Sequence, residues 1–102
     1  MSQGLSVHSD ELFRRKLYQA GERVLDVGCG FGDTTRLIAA QVTPSGEAIG
    51  VDCAQNFIDL ATREAAEESI KNASFFVADV QCDDLGGPYD HVFSRFGTRE
   101  LK

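Results

Sequence analysis

The stretch that decides the fold spans residues 24–32 and reads Val24-Leu25-Asp26-Val27-Gly28-Cys29-Gly30-Phe31-Gly32. Its mostly apolar first half is typical of a β-strand that is covered on both faces. Three glycines follow at alternate positions. Gly28 can take a positive φ for a sharp strand-to-helix turn. Because Gly30 has no Cβ, a ligand can lie against the backbone there, and the missing Cβ of Gly32 lets the helix begin close to the strand. We predict a strand, a ligand-binding turn and a helix, in that order.

Strand and helix patterns alternate along the rest of the chain. Such alternation indicates a parallel sheet with helices on its faces, and right-handed crossovers restrict the topology. We predict an α/β fold, a doubly wound Rossmann-like three-layer sandwich with a partial parallel sheet in strand order 3-2-1-4. Ligands of such sheets bind at the switch point, here between the first and fourth strands. The predicted strands cover residues 23–27, 47–51, 74–78 and 89–94, and the predicted helices cover residues 10–20, 33–42 and 54–69.

The two later helices have recognisable start signals and apolar stripes. Asp33 with Thr34 is expected to cap the first of them. The second follows a pattern like a capping box, in which Asp52 precedes Gln55 by three residues. Its buried stripe is expected to comprise Ala54, Phe57, Ile58, Ala61 and Ala65.

Three acidic residues lie within or at the end of the predicted strands near the glycine turn. Asp52 can accept both hydroxyls of a ribose, or cap a helix, or do both. Asp79 can accept from the exocyclic amine of adenine, or serve only as a loop or capping residue. Asp26 lies inside the first strand, where a buried carboxylate needs a partner. An amine-bearing ligand, the backbone donors of the turn or a purely structural group would satisfy it. Together these residues indicate an adenosyl cofactor.

The glycine spacing argues against a dinucleotide. The turn reads G-x-G-x-G, whereas the dinucleotide fingerprint G-x-G-x-x-G needs a glycine at position 33. Asp33 stands there, and its carboxylate would repel a pyrophosphate from the positive end of the helix. A fragment of an NAD-dependent oxidoreductase is therefore the weaker alternative.

These motifs resemble the class I S-adenosylmethionine-dependent methyltransferases, in their small-molecule branch. The resemblance covers about residues 10–97 and implies S-adenosylmethionine as the cofactor and a small molecule as the methyl acceptor. The stretches that carry it are residues 24–32, Gly50-Val51-Asp52, Ala78-Asp79-Val80 and residues 89–97.

The resemblance also implies a role for each matching residue. Asp26 and the glycine turn would hold the methionine portion, Asp52 the ribose hydroxyls and Asp79 the adenine amine. Val80 would pack near the adenine ring, and Ser94 would face the sulfonium. The full set of expected cofactor-binding residues is Asp26, Gly28, Cys29, Gly30, Gly32, Asp52, Cys53, Asp79, Val80 and Ser94.

No catalytic residue is predicted. The methyl group of the cofactor already sits on a positive sulfur, so alignment with the acceptor supplies most of the acceleration. A general base is needed only if the acceptor must lose a proton. His91 lies in the middle of a predicted strand and is expected to be a packed or surface histidine.

Members of the family usually have seven strands, so residues 1–102 are expected to form a single partial domain. We expect either a truncated form with weak or absent activity of its own, or a domain that a partner chain completes. The fourth strand, with Val92 and Phe93, would then be an exposed sheet edge that favours a homo-oligomer. A noncatalytic module for ligand binding or assembly is the alternative.

Composition limits the partners and the compartment. Ten basic and sixteen acidic residues leave a net charge of −6, which opposes binding to nucleic acid or to anionic lipid. No apolar run approaches the roughly 20 residues of a membrane span, and the N-terminus lacks the order of a secretory signal. The three cysteines form neither a metal-binding pair nor a closed disulfide framework. We expect a cytoplasmic protein without a metal, nucleic-acid or membrane partner.

Overall fold

The computed structural model describes residues 18–79, 83–94 and 97–100, with side chains described up to residue 93. Within these ranges the chain forms five strands and two helices. The predicted helix at residues 10–20 lies outside the described residues except for its last three, which are not helical. The strands are β1 (Arg23–Val27), β2 (Glu47–Asp52), β3 (Ala73–Val77), β4 (His91–Ser94) and β5 (Gly97–Glu100), and the helices are α1 (Asp33–Val42) and α2 (Gln55–Glu67).

The strands form one sheet in the order β3-β2-β1-β4-β5. β1 pairs in parallel with β2 and β4, so Asp26 lies beside Gly50 on one side and Phe93 on the other. β2 pairs in parallel with β3. The predicted α/β class, the Rossmann-like topology and the order 3-2-1-4 are confirmed. The first three strands progress in one direction and the fourth lies on the other side of β1, which places the switch point between β1 and β4.

Each face of the sheet buries its own apolar cluster. The helices pack on one face, where Val24 and Ala48 of the strands meet Ile38 and Val42 of α1. Alternation along a strand sends the neighbouring side chains to the other face. That face is covered by loop residues rather than by either described helix. Its cluster comprises Leu25, Ile49, Val51 and Tyr89, with Val27, Phe76, Leu85 and Val92 packed against it.

The fourth strand is not a sheet edge, and that prediction is wrong. β5 pairs with β4 in antiparallel fashion, with Ser94 opposite Gly97 and His91 opposite Glu100. Backbone N–H and C=O groups along an edge need partners, and the following segment supplies them by turning straight back. Phe93 is also only 1% exposed. The expected adhesive surface on β4, which was the basis for predicting an oligomer, is therefore covered by the chain itself.

Helix α1 begins differently from the prediction. Its N-cap is Gly32, in the left-handed region at φ 90°, and no side chain caps the helix. Asp33 is the first helical residue, and Thr34 is buried against the neighbouring elements. The expected cap by Asp33 with Thr34 is wrong because the tight turn makes Gly32 itself the boundary residue.

Helix α2 also lacks the predicted side-chain cap. Its N-cap is Ala54, and the side chain of Gln55 donates to Asp59 at 2.8 Å instead of reaching back toward Asp52. The predicted buried stripe holds for Ile58, Ala61 and Ala65. Phe57, in contrast, is 41% exposed. Phe57 precedes the buried Ile58 by one residue, and a step of about 100° around the helix turns its side chain away from the buried stripe.

Candidate functional site

The glycine turn is bonded to the end of the neighbouring strand. The amides of Gly28 and Cys29 both donate to the carbonyl of Val51, each at 2.9 Å, and the amide of Gly32 donates to the carbonyl of Cys29 at 3.0 Å. All three turn glycines have positive φ, at 73°, 57° and 90° along the chain. A Cβ added to Gly28 would meet no atom within 4 Å, so there is open space beside the turn. The predicted strand–turn–helix unit is confirmed.

Asp52 is joined directly to this turn. Its Oδ2 accepts a hydrogen bond from the amide of Gly30 at 3.0 Å, and its Oδ1 accepts from the amide of Ala54 at 3.0 Å. An ionised carboxylate has about four lone-pair sites, so the two backbone donors leave about two acceptor sites for a ligand. Asp52 is half-buried. The carboxylate therefore holds the turn and still has room for two further donors.

Asp26 lies below the turn and is only 1% exposed. Its Oδ2 accepts a hydrogen bond from the hydroxyl of Thr35 at 2.5 Å. Sequence reasoning considered ligand, backbone and structural partners but did not identify Thr35. Thr35 is in the first turn of α1 and is fully buried, and a threonine on the buried side of a helix was the available signal.

Tyr18 adds a second buried polar group on this side of the sheet. Its side chain belongs to the cluster that contains Val24 and Phe93, and its hydroxyl finds no hydrogen-bond partner among the described residues. Burial raises the pKa of this hydroxyl well above its ordinary value, and the negative charges of Asp26 and Glu22 raise it further. Tyr18 therefore stays neutral and remains a hydrogen-bond donor at physiological pH.

Asp79 lies at the same rim as Asp52. The amide of Ala78, directly before it, donates to the carbonyl of Asp52 at 3.1 Å. Asp79 is exposed, its amide donates to Asp83 Oδ2 at 2.7 Å, and its carbonyl accepts from the amide of Asp83 at 2.8 Å. This turn holds the backbone at residue 79 beside the end of β2.

Two predicted site residues are described in part or not at all. Val80 lies outside the described residues. Ser94 ends β4 beside Val27, at the carboxyl edge as predicted, but its side chain is not described. The backbone thus places four strand ends on one edge, as the sequence pattern indicated.

The two cysteines of the site differ in exposure. Cys29 is buried in the glycine turn, whereas Cys53 is exposed directly after Asp52. Both lie in the backbone segments that border the rim.

Gly50 was part of a stretch that carries the family resemblance, but neither it nor Phe75 was given a role from the sequence. A Cβ on Gly50 would lie 2.7 Å from Cδ1 of Phe75 and 3.0 Å from Sγ of Cys29, so no side chain fits there without displacing a neighbour. A glycine inside a strand often marks a close approach of another group, and this was the signal available in the sequence.

His91 lies away from the rim, at the beginning of β4. Its Nε2 lies 3.0 Å from Oε2 of Glu22, and its ring lies 5.1 Å from the ring of Tyr18. The expectation of a packed histidine rather than a base agrees with this position. Among the described residues, no group of three or more His, Cys, Asp or Glu side chains is arranged to hold a metal ion. Neither described helix is long and apolar enough to cross a membrane.

A separate cavity of about 480 Å³ opens between the second half of α1 and the connection from α2 to β3. Its lining includes Arg36, Thr43, Ile70 and Lys71. None of the predicted site residues borders it. The rim at the carboxyl edge, and not this cavity, carries the chemistry that the motifs indicate.

Comparison with known proteins agrees with the fold and the motifs. Residues 24–101 match the family model of the methyltransferase domain, and the chain belongs to this family. The resemblance to class I S-adenosylmethionine-dependent methyltransferases is confirmed, and S-adenosylmethionine is the cofactor that this membership implies.

Particular relatives differ in their acceptors. The chain is 38% identical over 96 residues to the demethylmenaquinone methyltransferase of Lactobacillus johnsonii, covering 89% of this chain and 38% of the relative. It is 39% identical over 69 residues to the 23S rRNA (uracil(1939)-C(5))-methyltransferase RlmD of Xylella fastidiosa, covering 68% and 15% respectively. The chain therefore spans well under two thirds of the length of these relatives.

Solved structures share the fold. The YcgJ protein from Bacillus subtilis matches with a TM-score of 0.72 and 26% identity, over 84% of this chain and 36% of that one. A SAM-dependent methyltransferase from Aquifex aeolicus matches with a TM-score of 0.75 and 20% identity, over 89% and 48%. The latter likeness concerns the fold alone.

Proposed function

We propose that this chain forms the S-adenosylmethionine-binding part of a methyltransferase that acts on a small-molecule acceptor. The observation that carries the proposal is the hydrogen bond between Asp52 and the amide of Gly30. It joins the acidic strand end to the glycine turn in a single rim, with open space beside Gly28. The carboxylates of this rim are acceptors of the kind that the hydroxyls and amines of an adenosyl cofactor require.

Each part of the cofactor has an assigned position in this proposal. The two remaining acceptor sites of Asp52 take the two ribose hydroxyls, and Asp79 takes the adenine amine, with Val80 beside the ring. Asp26, oriented by Thr35, holds the positively charged amino end of the methionine portion along the glycine turn. In this proposal Ser94 would face the sulfonium, and the backbone at Cys29 and Cys53 would border the cofactor.

The cofactor supplies an electrophilic methyl group on a positive sulfur, and the protein contributes orientation. A charged carboxylate that is already hydrogen-bonded to the backbone does not need to reorganise when the ligand arrives. The turn and Asp52 would therefore hold the adenosyl portion in a fixed position, and orientation of the reacting groups is the contribution that methyl transfer needs from the protein. This chain supplies no acceptor-binding residue that the described geometry identifies.

A small-molecule acceptor is supported by two observations. Curated relatives of this chain include several demethylmenaquinone methyltransferases. The net charge of −6 also opposes the phosphate backbone of RNA. The RlmD relatives make a ribosomal RNA acceptor the second candidate. We also propose a cytoplasmic setting, which the exposed free thiol of Cys53 supports.

Titration calorimetry with S-adenosylhomocysteine and with NAD tests the proposed site. We expect S-adenosylhomocysteine to bind and NAD to give no heat of binding, because Asp33 stands at the helix start that a pyrophosphate needs. Binding of NAD in preference to S-adenosylhomocysteine would support an oxidoreductase. A folded chain that binds neither ligand would support a noncatalytic assembly module.

Replacing Asp79 with alanine tests the adenine contact. Wild-type protein is expected to prefer S-adenosylhomocysteine over S-inosylhomocysteine by about ten- to a hundredfold, because a hydrogen bond to a charged group contributes about 1.5–3 kcal/mol. Asp79→Ala should remove most of this preference. Calorimetric affinities for both ligands give the measurement. Asp59→Ala, which removes an exposed carboxylate on α2, is the matched control. If Asp79→Ala keeps the full preference, Asp79 does not contact the adenine amine and serves only in the turn with Asp83.

A further inference from the structure

Phe75, in the middle of β3, lies against two glycines of other elements. A Cβ added to Gly32 would lie 2.9 Å from Cε1 of Phe75, and one added to Gly50 would lie 2.7 Å from Cδ1 of the same ring. The ring therefore occupies the space beside both α-carbons. Gly32 ends the glycine turn, and Gly50 lies next to Asp26 in the sheet. One aromatic ring thus connects the turn to the strand beside Asp26.

Neighbouring side chains close the contact from other directions. A Cβ on Gly50 would also lie 3.0 Å from Cβ and Sγ of Cys29, and a Cβ on Gly32 would lie 2.9 Å from Cβ of Ala61. Protein interiors are packed as densely as organic crystals, so a ring held between such neighbours cannot shift without moving them. Phe75 and Ala61 determine how close the end of the turn lies to β3 and α2.

The opposite side of the turn is held by a polar contact. The amide of Gly30 donates to Asp52 Oδ2, two residues before the point where Phe75 meets Gly32. The turn is therefore bonded to a carboxylate at its middle and packed on a ring at its end. The ring and the carboxylate therefore both contribute to the position of the turn.

We propose that Phe75 is a positioning residue for the cofactor, which it orients through the glycine turn rather than by direct contact. The inference rests on the proposed function, in which the turn holds the methionine portion. The proposal predicts different effects on the affinities for two ligands. S-adenosylhomocysteine uses the turn and the carboxylates, whereas adenosine uses chiefly Asp52 and Asp79. Loss of the ring therefore affects the first ligand more than the second.

The test is Phe75→Leu, with calorimetric titration of S-adenosylhomocysteine and of adenosine at a temperature at which every variant is fully folded. Because small displacements of binding groups are costly, we expect about a tenfold loss of affinity for S-adenosylhomocysteine and less than about a threefold loss for adenosine. If Phe75→Leu does not fold, the same titrations are made with Phe75→Met, a substitution that roughly conserves the volume of the side chain. Val42→Ala is the control, because Val42 is fully buried at the far end of α1.

A second variant tests the contact itself. Gly50→Ala should weaken binding of S-adenosylhomocysteine, and adding Phe75→Leu should cost less in this background than in the wild type, because residues in contact are not additive. Equal losses for both ligands in Phe75→Leu, as in Val42→Ala, would overturn the positioning role while leaving the proposed cofactor site intact. Wild-type protein that binds no S-adenosylhomocysteine would overturn both.

Discussion

Gly32→Ala is expected to lower the free energy of unfolding by about 2–5 kcal/mol, because the added methyl group combines backbone strain with overpacking. Gly32 has a φ of 90°, and a left-handed conformation costs a residue with a Cβ about 1–2 kcal/mol. The new methyl group would also lie 2.9 Å from both Ala61 and Phe75. Overpacking of this kind adds about 1–3 kcal/mol.

Denaturant unfolding of the variant and the wild type measures this effect. Gly86→Ala is the matched control, because Gly86 has a φ of 80° but an added Cβ would come no closer than 3.4 Å to another residue, the hydroxyl of Tyr89. The control isolates the backbone cost of about 1–2 kcal/mol. If both variants lose the same stability, the contacts of Gly32 with Ala61 and Phe75 contribute nothing measurable.

Asp52→Ala is expected to weaken binding of S-adenosylhomocysteine by about 1–3 kcal/mol, because the ribose hydroxyls lose their acceptor. The same change removes the acceptor for the amides of Gly30 and Ala54, so the turn also loses its polar contact. Asp52→Asn keeps the size of the side chain but turns an amide donor toward one of these backbone donors. We therefore expect it to weaken binding as well.

Calorimetry gives the affinities, and circular dichroism establishes that each variant is folded. Asp59→Ala removes the same charge from an exposed position on α2, where the carboxylate accepts only from Gln55 among the described hydrogen bonds. Its affinity should match that of the wild type. A folded Asp52→Ala variant with unchanged affinity would reduce Asp52 to a backbone-capping residue.

Much of the site was predictable because its parts are local in the sequence. An apolar run followed by G-x-G-x-G specifies a strand and a tight turn through backbone sterics alone. The second strand was predicted at residues 47–51 and extends over Glu47–Asp52. The third was predicted at residues 74–78 and covers Ala73–Val77. Parallel connections then bring the carboxyl ends of these strands to one edge without further information.

Other features depend on residues that are far apart in the chain. The contact of Phe75 with Gly32 and Gly50 joins three elements, and no local pattern states which ring meets which glycine. Asp26 accepts a hydrogen bond from the hydroxyl of Thr35. The side chain of Thr35 faces the sheet because of the way α1 packs on it. Such partners are chosen by packing, which acts between all elements at once.

The amino-acid sequence by itself determined the class of fold, the strand order and the set of acidic and glycine residues at the rim, because turn sterics and hydrophobic periodicity act over a few residues. Only the tertiary structure decided that β5 covers β4, that Phe57 is exposed and that Asp52 bonds the glycine turn. These outcomes depend on which backbone groups still lack a hydrogen-bond partner, and which surfaces are still exposed, once the sheet has formed. Neither can be known before the elements are packed together.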